Sequence, residues 1–208
     1  FSSEQTKKRL MATGLVSLGI VLFFLLKDNF LISGHDYTNL YTHSNITSLM
    51  NHSFLERHHM ILRLRKILKK SCLRIVALIG IGGSGKTTLA RQYAHKGNYS
   101  FVWEINAESS ESLLKSCEDL GESIMLTDEE IKKWRGLTHI KNEKIKTKKI
   151  TLLISNKLKS MTNWLLIFDN VEKITDIQKY FPDDINKWKN GHIIITTTDT
   201  NIKNSTMI

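Results

Sequence analysis

Residues 75–90 read Ile75-Val76-Ala77-Leu78-Ile79-Gly80-Ile81-Gly82-Gly83-Ser84-Gly85-Lys86-Thr87-Thr88-Leu89-Ala90, and this stretch decides the fold. Gly80, Gly85, Lys86 and Thr87 satisfy G-x-x-x-x-G-K-[ST], the phosphate-binding loop or Walker A motif. The apolar run Ile75–Ile79 has the character of a strand buried on both faces. Thr87 to Lys96 lacks Pro and Gly and reads as a helix. Strand, glycine loop and helix in that order suit the chemistry. Glycines let successive N–H groups turn inward at the positive end of a helix, forming a cradle for an anion. Gly80, Gly82, Gly83, Ser84, Gly85, Lys86, Thr87 and Thr88 are therefore the candidate nucleotide-binding residues. Lys86 supplies a mobile charge for the outer phosphates, and the Thr87 hydroxyl is a candidate Mg²⁺ ligand. An ordinary glycine-rich turn ahead of a lysine fits the letters but not the flanks.

A Mg²⁺ on phosphate needs a carboxylate from the end of another buried strand. Asn163-Trp164-Leu165-Leu166-Ile167-Phe168-Asp169-Asn170 is such a run, and Asp169 is the candidate Walker B residue and metal ligand. The alternative role for Asp169 is to cap a helix beginning near Val171. Tyr99–Asn106 and Gly191–Thr198 are two more β-forming runs. Helical patterns fill the gaps at Glu108–Met125, Asp128–Trp134, Lys144–Met161 and Val171–Lys179. Alternation throughout Ile75–Thr198 predicts an α/β fold, a doubly wound parallel sheet of the P-loop NTPase type. Ligands bind such sheets at the carboxyl ends of the strands, where Gly80, Asp169 and Thr198 fall.

Four blocks resemble the NB-ARC domain of the STAND class of P-loop NTPases, the nucleotide switch of apoptosis scaffolds, plant resistance proteins and their bacterial relatives. They are the extended loop Gly80–Ala90, the block Phe101–Ser109, the Walker B block Trp164–Val171 and the sensor block His192–Thr198, in family order. The resemblance is to the bacterial type, with a bacterial source expected. It implies binding of ADP or ATP with Mg²⁺, a switch or scaffold role toward a protein partner, and a sensor strand between the Walker A and Walker B strands. Two departures bear on hydrolysis. Asn170 stands where the family often has a second acid, and Thr198, the sensor candidate, where it usually has Arg. A cation lost from the transferred phosphoryl group weakens catalysis, so binding is expected with slow or absent hydrolysis. An active ATPase of another class, or a non-functional truncated remnant, are the other readings. Phe54-Leu55-Glu56-Arg57 is a loose echo of the family's Gly-Arg-Glu turn near the adenine. The helical ARC region, winged helix and repeats of the family do not follow the sensor strand, and residue 1 is Phe, so a gene fragment is expected.

Residues 1–32 hold a basic flank, Lys7-Lys8-Arg9, then an uncharged apolar stretch, Leu10–Leu26. As a helix it extends about 25 Å, against a bilayer core of roughly 30 Å, and snorkelling lysines cover the difference. It is read as a transmembrane or membrane-dipping helix; a buried apolar helix and a signal peptide are the alternatives. The flank alone would send the following domain across the membrane, whereas a nucleotide-binding domain needs cytoplasmic ATP. The chemistry outweighs the charge rule, giving a membrane anchor with the P-loop domain in the cytoplasm. Residues 33–53 are polar and read as a linker, and residues 54–208 as the P-loop domain, incomplete at its end. Leu55–Lys70 opens that domain as a basic amphipathic helix.

The net charge of +10 is uneven: residues 1–70 carry ten Lys/Arg against four Asp/Glu, and residues 71–208 twenty against sixteen. That excess suits a membrane-proximal region better than a nucleic-acid footprint. Lys132–Lys149 is basic without the series of interleaved aromatics that base stacking uses, so nucleic acid is not favoured. The histidines at 35, 43, 52, 58 and 59 are irregularly spaced and are not read as metal ligands. Two cysteines, Cys72 and Cys117, fit a reducing compartment.

Overall fold

The computed structural model describes residues 22–23, 43–46, 57–69, 74–181 and 191–199. Its centre is a parallel sheet of four strands, β3 (Ile75–Ile79), β4 (Phe101–Asn106), β5 (Trp164–Asp169) and β6 (His192–Thr197). Two-residue strands, β1 (Leu22–Phe23) and β2 (His43–Ser44), pair parallel to its two edges. The order across the sheet is β1-β3-β6-β5-β4-β2. As the resemblance implies, β6 lies between the strand leading into the P-loop and the strand ending in Asp169.

The four central strands are runs of apolar and β-branched residues because both of their faces are covered. Successive side chains alternate between two cores. Ile75, Ala77 and Ile79 face one core, with Phe168 and Ile195, and Val76 and Leu78 face the other, with Ile167 and Ile194. The second core is closed by α1 (His58–Leu68), through Ile61, Leu64 and Leu68, and by α2 (Lys86–Lys96), through Leu89, Ala90, Tyr93 and Ala94. The first is closed by α3 (Ser110–Ile124), α4 (Asp128–Thr138) and α5 (Glu143–Ser160), whose apolar stripes include Leu120, Trp134 and Ile154. Helices on both faces make this the doubly wound α/β sheet expected from the alternating pattern.

Local signals set the helix starts. Ser109 with Ser112 and Thr127 with Glu130 form capping boxes at α3 and α4, and the Asn142 side chain accepts from Ile145 N at α5. α1 starts three residues later than the pattern suggested, and α4 continues to Thr138, four residues beyond Trp134.

Three expectations are corrected. The apolar stretch Leu10–Leu26 was expected to be helical; its two described residues are strand β1, with Leu22 opposite Ala77 and Phe23 opposite Leu78. An unbroken apolar run carries no period that separates helix from buried strand, and the outer edge of β3 offers unpaired N–H and C=O groups. The other residues of that stretch lie outside those described, and no helix among the described residues is long and apolar enough to cross a membrane. The polar segment 33–53, expected to be a linker, contributes β2 to the opposite edge. There the Asn45 amide imitates a strand, donating to Glu104 O at 2.8 Å and accepting from Glu104 N at 2.7 Å. Finally, Val171–Lys179 is not one helix. Asn170 takes φ 60°, turning the chain, and Val171 N bonds to Thr196 O. Only then does a single turn, α6 (Ile174–Ile177), run into a 3₁₀ turn, Gln178–Tyr180.

Candidate functional site

The loop 80–85 leaves the carboxyl end of β3 and enters α2 directly. Gly83 and Gly85 have φ of 73° and 81°, a left-handed backbone that residues with a Cβ adopt at a cost. These two glycines make the reversal. Gly82 does not share that backbone, so its conformation is open to other residues. Gly85 is the N-cap of α2, where no side chain caps the helix and no acid lies in the first turn. The first N–H groups of an α-helix lack intrahelical partners and carry the positive end of its dipole. Ser84 Oγ in the same loop is buried without a hydrogen-bond partner. A cradle of this kind, cationic and short of acceptors, fits a phosphate group.

Lys86 is only 8% exposed, and its Nζ donates to Gly80 O and Ile81 O, each at 2.9 Å. The ammonium thus ties α2 back across the loop. Burial lowers its pKa from the ordinary lysine value, and the charge of Asp169 works against that fall. Thr87, next on α2, donates its hydroxyl to Asp169 Oδ1 at 2.6 Å, a contact between residues 82 positions apart. Thr88 continues the first turn of the same helix. The expected loop and the expected carboxylate therefore meet at the carboxyl end of the sheet. Asp169 caps no helix, because none begins at Val171.

Asp169 holds a second hydroxyl. Thr196 Oγ1 donates to the same Oδ1 at 2.5 Å and accepts from Asn170 N at 3.0 Å. Two hydroxyls converging on one carboxylate oxygen form charge-assisted bonds worth about 1.5–3 kcal/mol each. Thr196 was not among the expected site residues. The register Phe168 opposite Ile195 puts Asp169 beside Thr196, so strand adjacency and register together would have found it. Thr198, the sensor candidate, is exposed one residue past β6, and no hydrogen bond among the described residues joins it to this cluster.

Two arginines adjoin the loop. The guanidinium of Arg57, just before α1, lies beside Gly85, where an added Cβ would come within 3.0 Å of its Nη2. Its backbone N–H also donates to Gln92 Oε1 on α2 at 3.4 Å. Residues 54–56 of the expected Gly-Arg-Glu-like turn lie outside those described. Arg91, one turn after Thr87, makes a two-pronged ion pair with Glu104 on β4, at 2.7 and 2.5 Å. That pairing raises the Arg91 pKa, with Asp169 adding a smaller contribution. From the sequence, Arg57 entered only as part of the loose echo of the turn near the adenine, and Arg91 was not singled out.

The sequence profile of the NB-ARC domain matches residues 57–208, from Arg57 through the four central strands. The chain belongs to the NB-ARC family. NB-ARC domains are nucleotide-binding P-loop modules of signalling proteins and typically take Mg²⁺ with the nucleotide. No curated protein matches this chain. The match starts at the arginine beside Gly85, and its span contains each of the four sequence blocks.

Proposed function

We propose that this NB-ARC domain binds a nucleoside di- or triphosphate, ADP or ATP, at the loop 80–88 with Mg²⁺ held by Thr87 and Asp169, and serves as a signalling or scaffold switch. The observation that carries this reading is the 2.6 Å contact between Thr87 Oγ1 and Asp169 Oδ1. It joins the helix that follows the glycine loop to the end of a separate strand, at the carboxyl end of the sheet where the anion cradle opens. When bound, the metal neutralises charge between the outer phosphates. The Thr87 hydroxyl and the Asp169 carboxylate are hard oxygen donors of the kind Mg²⁺ takes. Lys86 moves from the carbonyls of Gly80 and Ile81 to a phosphate oxygen, exchanging neutral acceptors for a charged one.

Hydrolysis is slow or absent in this reading. Asn170 has no carboxylate to polarise a water, and its backbone is committed to the bond with Thr196. Thr198 brings no cation. Calorimetric titration of the full chain with Mg-ADP and Mg-ATP tests the proposal, with Lys86→Ala as the comparison. Saturable binding of one nucleotide per chain, weakened at least tenfold by Lys86→Ala, supports it. Failure of the folded wild-type chain to bind either nucleotide would end it.

A further inference from the structure

At the amino end of the sheet, opposite the P-loop, lies a cavity of about 650 Å³. Its wall is assembled at the amino ends of the central strands. Arg74 precedes β3, Tyr99 precedes β4, Asn163 precedes β5, and His192 opens β6. The C-terminal turns of α1 and α2 add Arg65, Lys69 and Lys96. Four cationic residues thus line one cavity, and among the described lining residues there is no carboxylate. Five residues of β3, roughly 16 Å of strand, separate it from the P-loop.

Helix ends explain part of this charge. Cations are favoured at helix C-termini, and Arg65 Nη2 donates to Lys96 O at 2.9 Å, capping the end of α2. Arg74 is different, because it stands at the start of a strand and faces the same space. The floor adds no charge of its own. Tyr93 OH meets Tyr99 OH at 3.0 Å, Tyr99 OH meets His192 Nδ1 at 3.1 Å, and His192 Nε2 meets Leu68 O at 3.2 Å. With Nε2–H donating to the carbonyl, Nδ1 accepts the Tyr99 proton, so the chain is satisfied with a neutral imidazole. Burial, then Arg74, pushes the His192 pKa down to about 4, and burial raises both tyrosines. A neutral, hydrogen-bonded floor beside four cationic residues suits a multiply charged anion better than a general base or a metal.

We propose that this cavity is a second anion site, remote from the P-loop, which takes a ligand bearing two or more phosphate groups. Its volume lies within the range of small-molecule pockets, about 300–1,000 Å³, and a single monoanion would leave most of the cationic wall unmatched. Arginine forks and lysine point charges both suit phosphate oxygens.

Inorganic tripolyphosphate is the probe, titrated calorimetrically into the full chain at physiological ionic strength. The Lys86→Ala background reduces competition from the P-loop, and the comparison holds whether or not that loop binds nucleotide. Lys69→Ser with Arg74→Ser should weaken binding roughly tenfold per cation removed. Lys132→Ser with Lys133→Ser, the same charge change on the exposed side of α4, should leave it unchanged. Equal losses from both pairs, or no loss from the first, overturn the proposal. If the double variant fails to unfold cooperatively, Lys69→Glu alone, at an exposed position, repeats the test. Phosphatidylcholine vesicles carrying a phosphatidylinositol bisphosphate, assayed by flotation, separate the ligand sources. Vesicle capture that depends on Lys69 and Arg74, without tripolyphosphate binding, assigns a lipid headgroup; tripolyphosphate binding assigns a soluble phosphate. Binding of neither overturns the proposal.

Discussion

Thr87 Oγ1 on α2 and Thr196 Oγ1 on β6 both donate to Asp169 Oδ1 on β5, at 2.6 and 2.5 Å. Three separate elements are thereby locked at one oxygen before any phosphate is considered. A metal ligated by Thr87 would use a hydroxyl lone pair, which leaves the O–H able to keep donating to Asp169. Asp169→Ala removes the acceptor of two hydroxyls and the only acidic group of the cluster. The expected outcome is at least a tenfold loss of nucleotide affinity in Mg²⁺, with a much smaller change in EDTA. Titrations in the two buffers check it; equal losses in both would mean that Asp169 acts on the loop and not through a metal.

Lys86 gives a pH-dependent prediction. Burial lowers its folded-state pKa, so the unfolded chain holds the proton more tightly and the charged lysine costs stability at neutral pH. Stability from this group therefore improves as pH rises through the folded pKa toward the unfolded value. A bound polyphosphate reverses the shift, because an anion beside Nζ favours the charged form. Nucleotide binding should then take up protons increasingly as pH is raised from neutral into the alkaline range. Calorimetry in buffers of different ionisation enthalpy reads the uptake directly. No buffer dependence at alkaline pH, or none remaining to be lost in Lys86→Ala, would contradict the assignment.

The loop glycines separate by backbone, not by motif position. Gly85→Ala forces a Cβ onto a left-handed backbone and to within 3.0 Å of Arg57 Nη2, which must move. A cost of about 1–2 kcal/mol is expected for such a backbone alone. Gly82→Ala meets nothing within 4 Å and has no left-handed φ, so thermal stability should hardly change. Thermal unfolding of the two variants decides, and a Gly82→Ala chain as unstable as Gly85→Ala would refute this reading of the loop.

The central sheet was legible because its physics is local. Ile75–Ile79 and Trp164–Asp169 are buried on both faces, so almost every residue in them is apolar. The carboxylate at Asp169 was legible as the polar end of such a run. What stayed hidden depends on contacts between distant segments. Leu22–Phe23 and His43–Ser44 have two residues each and acquire their identity only from the edges of β3 and β4. Thr196 looks like any threonine of a β-forming run until β6 is placed next to β5. The cationic cavity was invisible for the same reason, since Arg65 and His192 lie 127 positions apart, with Arg74 between them. The helix read at Val171–Lys179 failed at Asn170, whose left-handed turn a single asparagine does not announce.

Two glycines matter for packing, not for φ. A Cβ at Gly191 would lie 2.1 Å from Trp164 Cε2, and one at Gly121 would lie 1.9 Å from Trp134. Trp164 is fully buried, with its Nε1 donating to Leu158 O at 3.1 Å, so it cannot retreat without losing that bond. Overpacking of a core typically costs about 1–3 kcal/mol, and a forced loss of the indole bond adds to it. Gly191→Ala should therefore lower the unfolding midpoint in denaturant more than Gly82→Ala does, and Gly191→Ala with Trp164→Phe should recover part of the loss. No recovery in the double variant would place the strain elsewhere.

Thr198 offers the test of why hydrolysis should be slow. It is exposed in the bend just past β6, while Thr196, two residues back within β6, reaches Asp169. A cationic side chain at 198, longer than threonine and anchored two residues from Thr196, is the variant that can return charge to this end of the sheet. Arginines that stabilise the transferred phosphoryl group contribute about 10³–10⁵ in rate in other P-loop enzymes. Thr198→Arg should raise single-turnover hydrolysis of Mg-ATP at least tenfold, with ADP affinity little changed. Thr198→Gln, of similar reach without the charge, should not. If the two variants behave alike, length and not charge limits the site; if neither changes the rate, the missing carboxylate at Asn170 is the stronger constraint, and Asn170→Asp becomes the variant that restores turnover.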